Sequence, residues 1–242
     1  MGSQNPAARR TGLERRSSIV VTISSDGPVW TLDLGDDENR FSPDWLEAVG
    51  SALDQIESTT EPAVLVTIGG GKFYSNGLDL EWLGQNFDQH DTYVTRVEDL
   101  FARILTLPVP TVAAVNGHAF GAGAMLAMAH DYRVMREDRG YFCFPEVDIH
   151  IPFTVGMNAL VTSKLTPRTA LDAMATGRRY GGADATAVGI VDATASSEKL
   201  FETAAGFVRD LAGKDRATLG TIKARMFADV VTALGAGNDD PA

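Results

Sequence analysis

Cysteine is nearly absent from this sequence of 242 residues, because Cys143 is the only one. A single cysteine excludes a disulfide within the chain, and a chain of this length can bury a full hydrophobic core without one. Cys143 lies in the apolar stretch YFCF, where a free cysteine packs as a small hydrophobic residue. We therefore predict a buried structural thiol at this position and not a nucleophile.

Basic residues are scarce, and long apolar runs are missing. The chain has 21 Lys and Arg against 32 Asp and Glu, and its net charge of −11 argues against a broad nucleic-acid surface. No apolar run approaches the roughly 20 residues that span a bilayer, and residues 19–23 are too short for the core of a signal peptide. These absences predict a globular cytoplasmic protein that binds neither nucleic acid nor membrane.

The first 17 residues differ from the rest of the chain in charge. Four arginines stand there against Glu14, and no apolar periodicity accompanies them. This composition is typical of a disordered segment. We predict a solvated basic arm over residues 1–17, so the globular fold is expected to begin at residue 18.

Strand and helix patterns alternate along the following part of the chain. The β-branched runs 18–24 and 29–34, separated by the turn sequence SDGP, predict a hairpin. Ser42 and Pro43 mark a helix start, and a second helix over DTYVTRVEDLFARILTL ends before PVP. The unbroken apolar runs AVLVTIGG and TVAAVNG predict strands covered on both faces, and DYRVM and YFCFPEV predict short strands. The chain then becomes helical from residue 166, which indicates an α/β core with a C-terminal helical layer.

Two glycine-bearing turns, GGGKFYSNGLDL and NGHAFGAGAMLAM, each follow a predicted buried strand and lead into a helix. The first N–H groups of a helix have no internal partner, and small residues leave them open to a ligand. Two such starts on neighbouring strands direct N–H groups at one negative oxygen, as an oxyanion hole does. Neither turn matches the Walker motif or G-x-G-x-x-G, so phosphate binding is the weaker hypothesis. Close helix packing is the purely structural alternative.

Three stretches, in this order and spacing, resemble the crotonase (enoyl-CoA hydratase/isomerase) superfamily. They are FYSNGLDLEWL, PVPTVAAVNGHAFGAGAMLAMAHDYRVM and FCFPEVDIHIPF, and the similarity extends over about residues 18–234. SNGLDLEW and HDYRVMREDRGYF resemble the peroxisomal-type Δ3,Δ2-enoyl-CoA isomerases more than the hydratases. The resemblance implies a crotonase-like ββα superhelix core over residues 18–165, with residues 166–242 as the C-terminal helical region of the same fold.

The resemblance also implies roles for individual residues. The main-chain amides of Leu78 and Ala122 would form the oxyanion hole for a thioester carbonyl, and Glu146 would be the catalytic base over the substrate's α-carbon. Partial desolvation would raise the pKa of Glu146 towards the range of a general base. The substrate- and CoA-binding residues implied by the family motifs are Arg40, Phe41, Ser75, Asn76, Gly77, Gly121 and Lys223.

Met125 bears on the type of reaction, because the hydratases carry a second glutamate at this position. Adding water to a double bond needs one group for the water and another for the α-carbon proton, and a thioether serves neither purpose. Moving a double bond from C3 to C2 needs one base, so a lone carboxylate favours isomerisation. Asp148 could assist Glu146 if the strand continues, whereas Asp79 is expected to stabilise a helix start.

Several further interpretations stay open at this point. His118 is expected to be packed or hydrogen-bonded, His150 is ambiguous, and no cluster has metal-ligand spacing. An acyl pocket could be lined by Leu83, Phe87, Tyr93, Val97 and Phe153. The resemblance implies an acyl-CoA thioester substrate with no separate cofactor, and assembly as a homotrimer or dimer of trimers. A hydratase and a non-catalytic acyl-CoA-binding protein are the alternatives to an isomerase of fatty acid metabolism.

Overall fold

The computed structural model describes residues 21–236 of the chain. The basic arm predicted over residues 1–17 lies outside the described residues, as do residues 237–242. Among the helices of the described part, none is long and apolar enough to cross a membrane.

Six strands form the main sheet. They are β1 (Thr22–Asp26), β2 (Val29–Asp33), β3 (Val64–Ile68), β5 (Thr111–Val115), β7 (Tyr132–Arg136) and β9 (Ala193–Ala195), paired in that order. The first two pair antiparallel, as the hairpin prediction at SDGP requires, and the later strands join in parallel. β9 is a strand within the C-terminal region that the sequence predicts as helical, so that region also completes the sheet.

Three short strands form a second, parallel sheet. They are β4 (Phe73–Ser75), β6 (His118–Phe120) and β8 (Phe142–Cys143). Each follows a strand of the main sheet along the chain: β4 follows β3, β6 follows β5 and β8 follows β7. Helices then lead back to the next main-sheet strand. This repeated order of strand, strand and helix is the predicted ββα superhelix.

The helices surround these two sheets. They are α1 (Pro43–Ser58), α2 (Leu80–Gln85), α3 (His90–Thr106), α4 (Ala122–Ala129), α5 (Glu146–Ile149), α6 (Val155–Lys164), α7 (Pro167–Thr176), α8 (Gly182–Ala187), α9 (Leu200–Val208), α10 (Arg216–Met226) and α11 (Ala228–Leu234). The predicted start of α1 is confirmed, since the Ser42 hydroxyl accepts a hydrogen bond from the Trp45 amide at 3.2 Å and Pro43 is the first helical residue.

The hydrophobic core lies on both faces of the main sheet. On β3, Leu65 points into the larger cluster with α1, α3 and α4, whereas Val64 and Val66 pack against α9 on the other face. Successive side chains of a strand point to opposite faces, so a strand covered twice must be apolar throughout. The unbroken apolar runs therefore predicted these strands correctly.

Candidate active site

The two glycine turns lie directly against each other. Gly77 and Gly121 both have a positive φ, 78° and 52°. A Cβ atom on Gly77 would lie 2.9 Å from the Ala122 nitrogen, and one on Gly123 would lie closer still to the Ser75 carbonyl oxygen. Side chains larger than hydrogen would push the two turns apart. The turn after β4 therefore meets the N-terminus of α4, as the oxyanion-hole prediction requires.

Hydrogen bonds hold the first turn in place. The Ser75 hydroxyl donates to the Asn39 carbonyl at 2.7 Å and accepts from the Gly77 amide at 3.0 Å. The Phe41 amide donates to the Gly77 carbonyl at 2.8 Å. Ser75 is fully buried, so its hydroxyl positions the turn and does not reach a substrate. Its predicted role in substrate contact is corrected accordingly.

The amides of Leu78 and Ala122 have no hydrogen-bond acceptor among residues 21–236. Ala122 is the first residue of α4, and the first N–H groups of a helix have no partner within it. Both residues line one cleft of about 340 Å³, together with Gly121. The structure thus brings the two predicted oxyanion residues to the same cleft with their amides available.

Glu146 lines the same cleft, beside Gly121. Its Oε1 atom lies 3.2 Å from the position that a Cβ on Gly121 would take, and its Oε2 atom is buried without a hydrogen-bond partner in the described part of the chain. Glu146 is only 8% exposed, and this burial raises the pKa of its carboxyl to about 7. A carboxyl with that pKa can take and return a proton near neutral pH.

Met125 forms the floor of the cleft one helical turn beyond Gly121, and it is 1% exposed. The charged side chains that line the cleft are Arg40, Glu146 and Arg179. Glu146 is therefore the only carboxylate of residues 21–236 that lines it. Met125, where the family resemblance implies a second glutamate in the hydratases, places an apolar thioether in the cleft.

The two aspartates near the predicted site both lie apart from the reacting groups. Asp79 is the N-cap of α2 and accepts a hydrogen bond from the Trp82 amide at 3.1 Å, which confirms its predicted role at a helix start. The expectation that Asp148 shares a strand face with Glu146 is wrong. β8 ends at Cys143, α5 begins at Glu146, and the Asp148 carboxylate packs against Gly177, away from the cleft.

The histidines and the cysteine of this region are structural. His118 packs among the rings of Phe73, Phe120 and Tyr141, with centroid distances of 5.0 to 5.7 Å, and burial lowers its pKa. His150 is exposed and ends α5 in a left-handed conformation with φ of 58°. Cys143 is buried, as predicted, and burial raises the pKa of its thiol to about 11.

Arg40 and Phe41 of the ENRF loop were predicted to bind CoA, and of these two only Arg40 lines the cleft. Asn76, predicted to bind the substrate from the turn after β4, lines the cleft as well. The Arg40 guanidinium already pairs with Glu38 at 2.5 Å. Phe41 is fully buried and stacks on Trp45 with a centroid distance of 4.6 Å. Its aromatic ring belongs to the core, so the prediction that Phe41 contacts CoA is wrong.

Lys223 is also absent from the cleft. It is 5% exposed, and its ammonium donates to the Asp131 carboxylate at 2.6 Å and to the Val109 carbonyl at 2.9 Å. These bonds join α10 to the ends of β5 and β7, beside a separate cavity of about 530 Å³. The predicted contact of Lys223 with CoA is therefore replaced by a structural role.

Sequence reasoning missed Arg179, which lines the cleft from the loop between α7 and α8. Its guanidinium lies 5.6 Å from the centre of the Phe120 ring on β6. Among residues 21–236 it forms no ion pair, unlike Arg40 and Arg178. The paired arginines of GRRYGG gave no signal that one of them faces the cleft.

A second cavity of about 420 Å³ adjoins the cleft. Leu83, Phe87 and Phe153 line it, as predicted for an acyl pocket, whereas Tyr93 and Val97 are buried in the core. Tyr93 instead accepts a hydrogen bond from the Asp79 amide at 2.9 Å. No three His, Cys, Asp or Glu side chains of the described residues converge as metal ligands would.

Known proteins resemble this chain in sequence and in fold. The sequence profile of the enoyl-CoA hydratase/isomerase family matches residues 29–239. Enoyl-CoA delta isomerase 3 of Arabidopsis thaliana is 40% identical over 81% of this chain and 86% of its own. The peroxisomal enoyl-CoA delta isomerase 2 of the same plant is 38% identical over 73% of this chain and 77% of its own.

Solved structures share the whole fold. The crystal structure of an enoyl-CoA hydratase from Mycobacterium marinum superposes with a TM-score of 0.82 at 26% identity, over 90% of this chain and 96% of that one. Profile, relatives and fold thus agree over nearly all the described residues. The chain belongs to the enoyl-CoA hydratase/isomerase family and has the crotonase fold.

Proposed function

We propose that this protein is a Δ3,Δ2-enoyl-CoA isomerase of fatty acid metabolism that uses Glu146 as its only base. The observation that carries the proposal is the environment of this carboxyl. It is buried, one of its oxygens has no hydrogen-bond partner among residues 21–236, and its pKa is about 7. It lies beside Gly121 and lines the same cleft as Leu78 and Ala122, whose amides have no acceptor among the described residues.

The reaction consists of two proton transfers. The Glu146 carboxylate removes a proton from C2 of the 3-enoyl thioester, and the C–H electron pair forms a C1–C2 double bond while the carbonyl pair moves to oxygen. In the second step the oxygen pair restores the carbonyl and the C1–C2 π pair shifts to form the C2–C3 double bond. The C3–C4 double bond breaks, and its π pair takes the proton from Glu146 to C4. No redox step and no second reactant is required, so we propose no cofactor beyond the CoA of the substrate.

The amides of Leu78 and Ala122 stabilise the intermediate enolate. Negative charge develops on the thioester oxygen only after C2 loses its proton, so two donors at this oxygen bind the transition state more tightly than the substrate. Removal of one such donor in other enzymes costs about 2.7–4 kcal/mol. This is large enough for the pair to supply a substantial part of the rate enhancement.

We assign the phosphates of CoA to the two arginines of the cleft. Arg40 and Arg179 both line it, as does Asn76. Arg40 has Glu38 as an internal counter-ion, which leaves Arg179 as the stronger candidate for a phosphate. Gly77 contributes by letting its turn approach the Ala122 amide, and the absence of a side chain at Gly121 leaves room beside the Glu146 carboxylate.

Hydration is the second candidate reaction, because hydratases share the family and the fold. It needs a group that activates water, and Met125 occupies the position from which the hydratases supply one. The rate of water addition to 2-enoyl-CoA, compared with the rate of 3-enoyl-CoA isomerisation, separates the two. Binding of acyl-CoA without turnover of either would indicate the non-catalytic alternative.

The test uses 3-hexenoyl-CoA, with conversion to the 2-enoyl isomer followed by absorbance of the conjugated thioester. Glu146→Gln keeps the shape of the side chain but removes the base, so we expect activity to fall by at least about 10²-fold. Asp148→Asn is the matched control, since its carboxylate lies two residues away and outside the cleft. Full activity in Glu146→Gln would refute the proposal.

Assembly and location belong to the same proposal. We propose a homotrimer or a dimer of trimers, which is consistent with the exposed Ile222 and Met226 on α10. Sedimentation velocity would test this, and a monomer at micromolar concentration would contradict it. We propose a cytoplasmic location, although relatives include peroxisomal enzymes by name, and imaging of the fluorescently tagged full chain distinguishes the two.

A further inference from the structure

Three buried polar side chains link β4, β3 and the end of α4 inside the core. Tyr74, Thr67 and His130 are each fully buried. The Thr67 Oγ1 atom lies 2.7 Å from the Tyr74 hydroxyl oxygen and 3.0 Å from His130 Nε2. The other ring nitrogen of His130, Nδ1, lies 2.8 Å from the Leu126 carbonyl oxygen. We refer to Tyr74, Thr67 and His130 as the buried triplet.

The donor and the acceptor of each bond in the buried triplet follow from its chemistry. Burial lowers the pKa of His130 to about 3, so the imidazole is neutral and carries one N–H group. The Leu126 carbonyl can only accept, which places that proton on Nδ1 and makes Nε2 an acceptor. The Thr67 hydroxyl must then donate to Nε2 and accept from the Tyr74 hydroxyl. The hydrogen bonds therefore run in one direction, from β4 through β3 to α4.

The first member of the buried triplet is joined to the turn that holds the Leu78 amide. Tyr74 directly precedes Ser75, whose hydroxyl accepts a hydrogen bond from the Gly77 amide at 3.0 Å. The Tyr74 carbonyl also accepts from the Asn39 side-chain amide at 3.0 Å. A displacement of Tyr74 would therefore reach this turn through the backbone.

The last member of the buried triplet holds the helix that begins with the Ala122 amide. The sequence of α4, AGAMLAMA, has no side chain that donates a hydrogen bond, and its apolar packing is non-directional. At the end of the helix, the His130 ring donates to one of the last carbonyls, and the His130 carbonyl accepts from the Arg133 guanidinium and the Lys164 ammonium, both at 3.2 Å. These three side-chain hydrogen bonds at the end of α4 all involve His130.

We infer that the buried triplet fixes the position of α4 along its axis relative to β4, and thereby the spacing of the Leu78 and Ala122 amides. Its members are positioning residues, because full burial keeps them from the substrate. This inference rests on the proposed function, which gives those two amides the enolate oxygen. A helix of eight residues moves as a unit, so a shift at its end is carried to Ala122. A misplacement of about 1 Å at a reacting site can cost on the order of 10²-fold in rate.

The experiment compares four variants with the parent. Thr67→Val keeps the shape of the side chain but breaks both bonds of its hydroxyl, whereas Thr67→Ser keeps the hydroxyl. Tyr74→Phe is a milder second variant, since it breaks only the first bond of the triplet. Thr169→Val is the matched control. Thr169 is buried on α7, its hydroxyl also donates one hydrogen bond and accepts another, and it lines neither the cleft nor the cavity beside it.

Three measurements separate positioning from general stability. The first is kcat and KM for 3-hexenoyl-CoA, and the second is the affinity for saturated hexanoyl-CoA, which binds without forming an enolate. The third is nuclear magnetic resonance of ¹⁵N-labelled protein, which reports the Leu78 and Ala122 amides and the protonation of the His130 ring. This last measurement needs no turnover.

We expect Thr67→Val to lower kcat at least tenfold, to change hexanoyl-CoA affinity less than about threefold, and to shift the resonances of both amides. Tyr74→Phe should shift them less. Thr67→Ser should restore most of kcat, and Thr169→Val should match the parent in kcat and in both resonances. In the parent, His130 should hold its proton on Nδ1 without titrating between pH 5.5 and pH 8.5.

Three results would overturn the inference: parent-like kcat and amide resonances in Thr67→Val, an equal loss in Thr169→Val, or a His130 proton on Nε2. The two proposals fail differently. Amide resonances that move in Thr67→Val, in a protein that does not isomerise 3-hexenoyl-CoA, would remove the proposed reaction only. Isomerisation that is undiminished in Thr67→Val would remove the positioning role only.

Discussion

The buried carboxyl of Glu146 is expected to destabilise the fold at neutral and alkaline pH, and Glu146→Gln is expected to relieve this. Burial raises the pKa of the carboxyl from an ordinary value of 4.5 to about 7 in the folded protein. Between these values the folded state holds the proton and the unfolded state has released it, so stability falls as the pH rises through this window. Above pH 7 the loss is complete.

The magnitude follows from the same two values. A tenfold change in an ionisation constant is worth about 1.4 kcal/mol, so the folded protein loses roughly 3 kcal/mol between pH 4.5 and pH 7 on account of Glu146. Glutamine has the same shape and does not ionise. Compared with the parent, Glu146→Gln should therefore gain roughly 3 kcal/mol at pH 8.5 and less than about 1 kcal/mol at pH 5.

The assay is urea unfolding of both proteins at pH 5 and pH 8.5, followed by circular dichroism at one protein concentration. The informative quantity is the difference in unfolding free energy between variant and parent at pH 8.5, compared with the same difference at pH 5. Effects of the substitution that do not depend on pH cancel in this comparison. A gain that is the same at both values, or a loss at pH 8.5, would mean that the pKa of the Glu146 carboxyl is not raised in the folded protein. The proton-transfer role assigned to Glu146 would then lose its physical basis.

Four further predictions concern activity. With a base of pKa about 7, kcat/KM for isomerisation should rise with pH through about 7 and level off above it, and a flat profile from pH 5.5 to 8.5 would contradict this. Gly77→Ala should lower kcat about 10²-fold or more by separating Leu78 from Ala122, with the secondary structure retained in circular dichroism. Arg179→Gln should raise KM for enoyl-CoA about tenfold but leave the reaction of the matching enoyl-pantetheine, which lacks the nucleotide, unchanged. Met125→Glu should introduce measurable hydration of 2-enoyl-CoA, whereas Met125→Gln should not.

Strands β3 and β5 of the main sheet were predictable because their burial on both faces leaves a strong pattern. An apolar run such as AVLVTIGG has few explanations other than a strand covered twice. β4 and β6 have three residues each and β8 has two, which is too short for alternation to appear. Their pairing also depends on contacts between distant parts of the chain. The resemblance to a known family, and not the local pattern, implied the ββα repeat.

Part of the candidate site was predictable for a similar reason. The positive φ of Gly77 and Gly121 and the close approach of the two turns require glycine, so these positions are visible in the sequence. Phe41 was misassigned because a motif position does not say which way a side chain points, and here the ring stacks on Trp45. Asp148 was misjudged because a helix begins at Glu146, which no local signal in FCFPEVDI indicated.

The most direct test of the account follows the fate of the C2 proton and of water. The protein would be incubated with 3-hexenoyl-CoA in deuterated, ¹⁸O-labelled water, and the products would be analysed by mass spectrometry. A single base that shuttles a proton predicts 2-hexenoyl-CoA with no ¹⁸O added to the acyl chain and incomplete deuterium uptake, with Glu146→Gln forming almost none. A product dominated by ¹⁸O-labelled 3-hydroxyacyl-CoA, or undiminished isomerisation by Glu146→Gln, would contradict it.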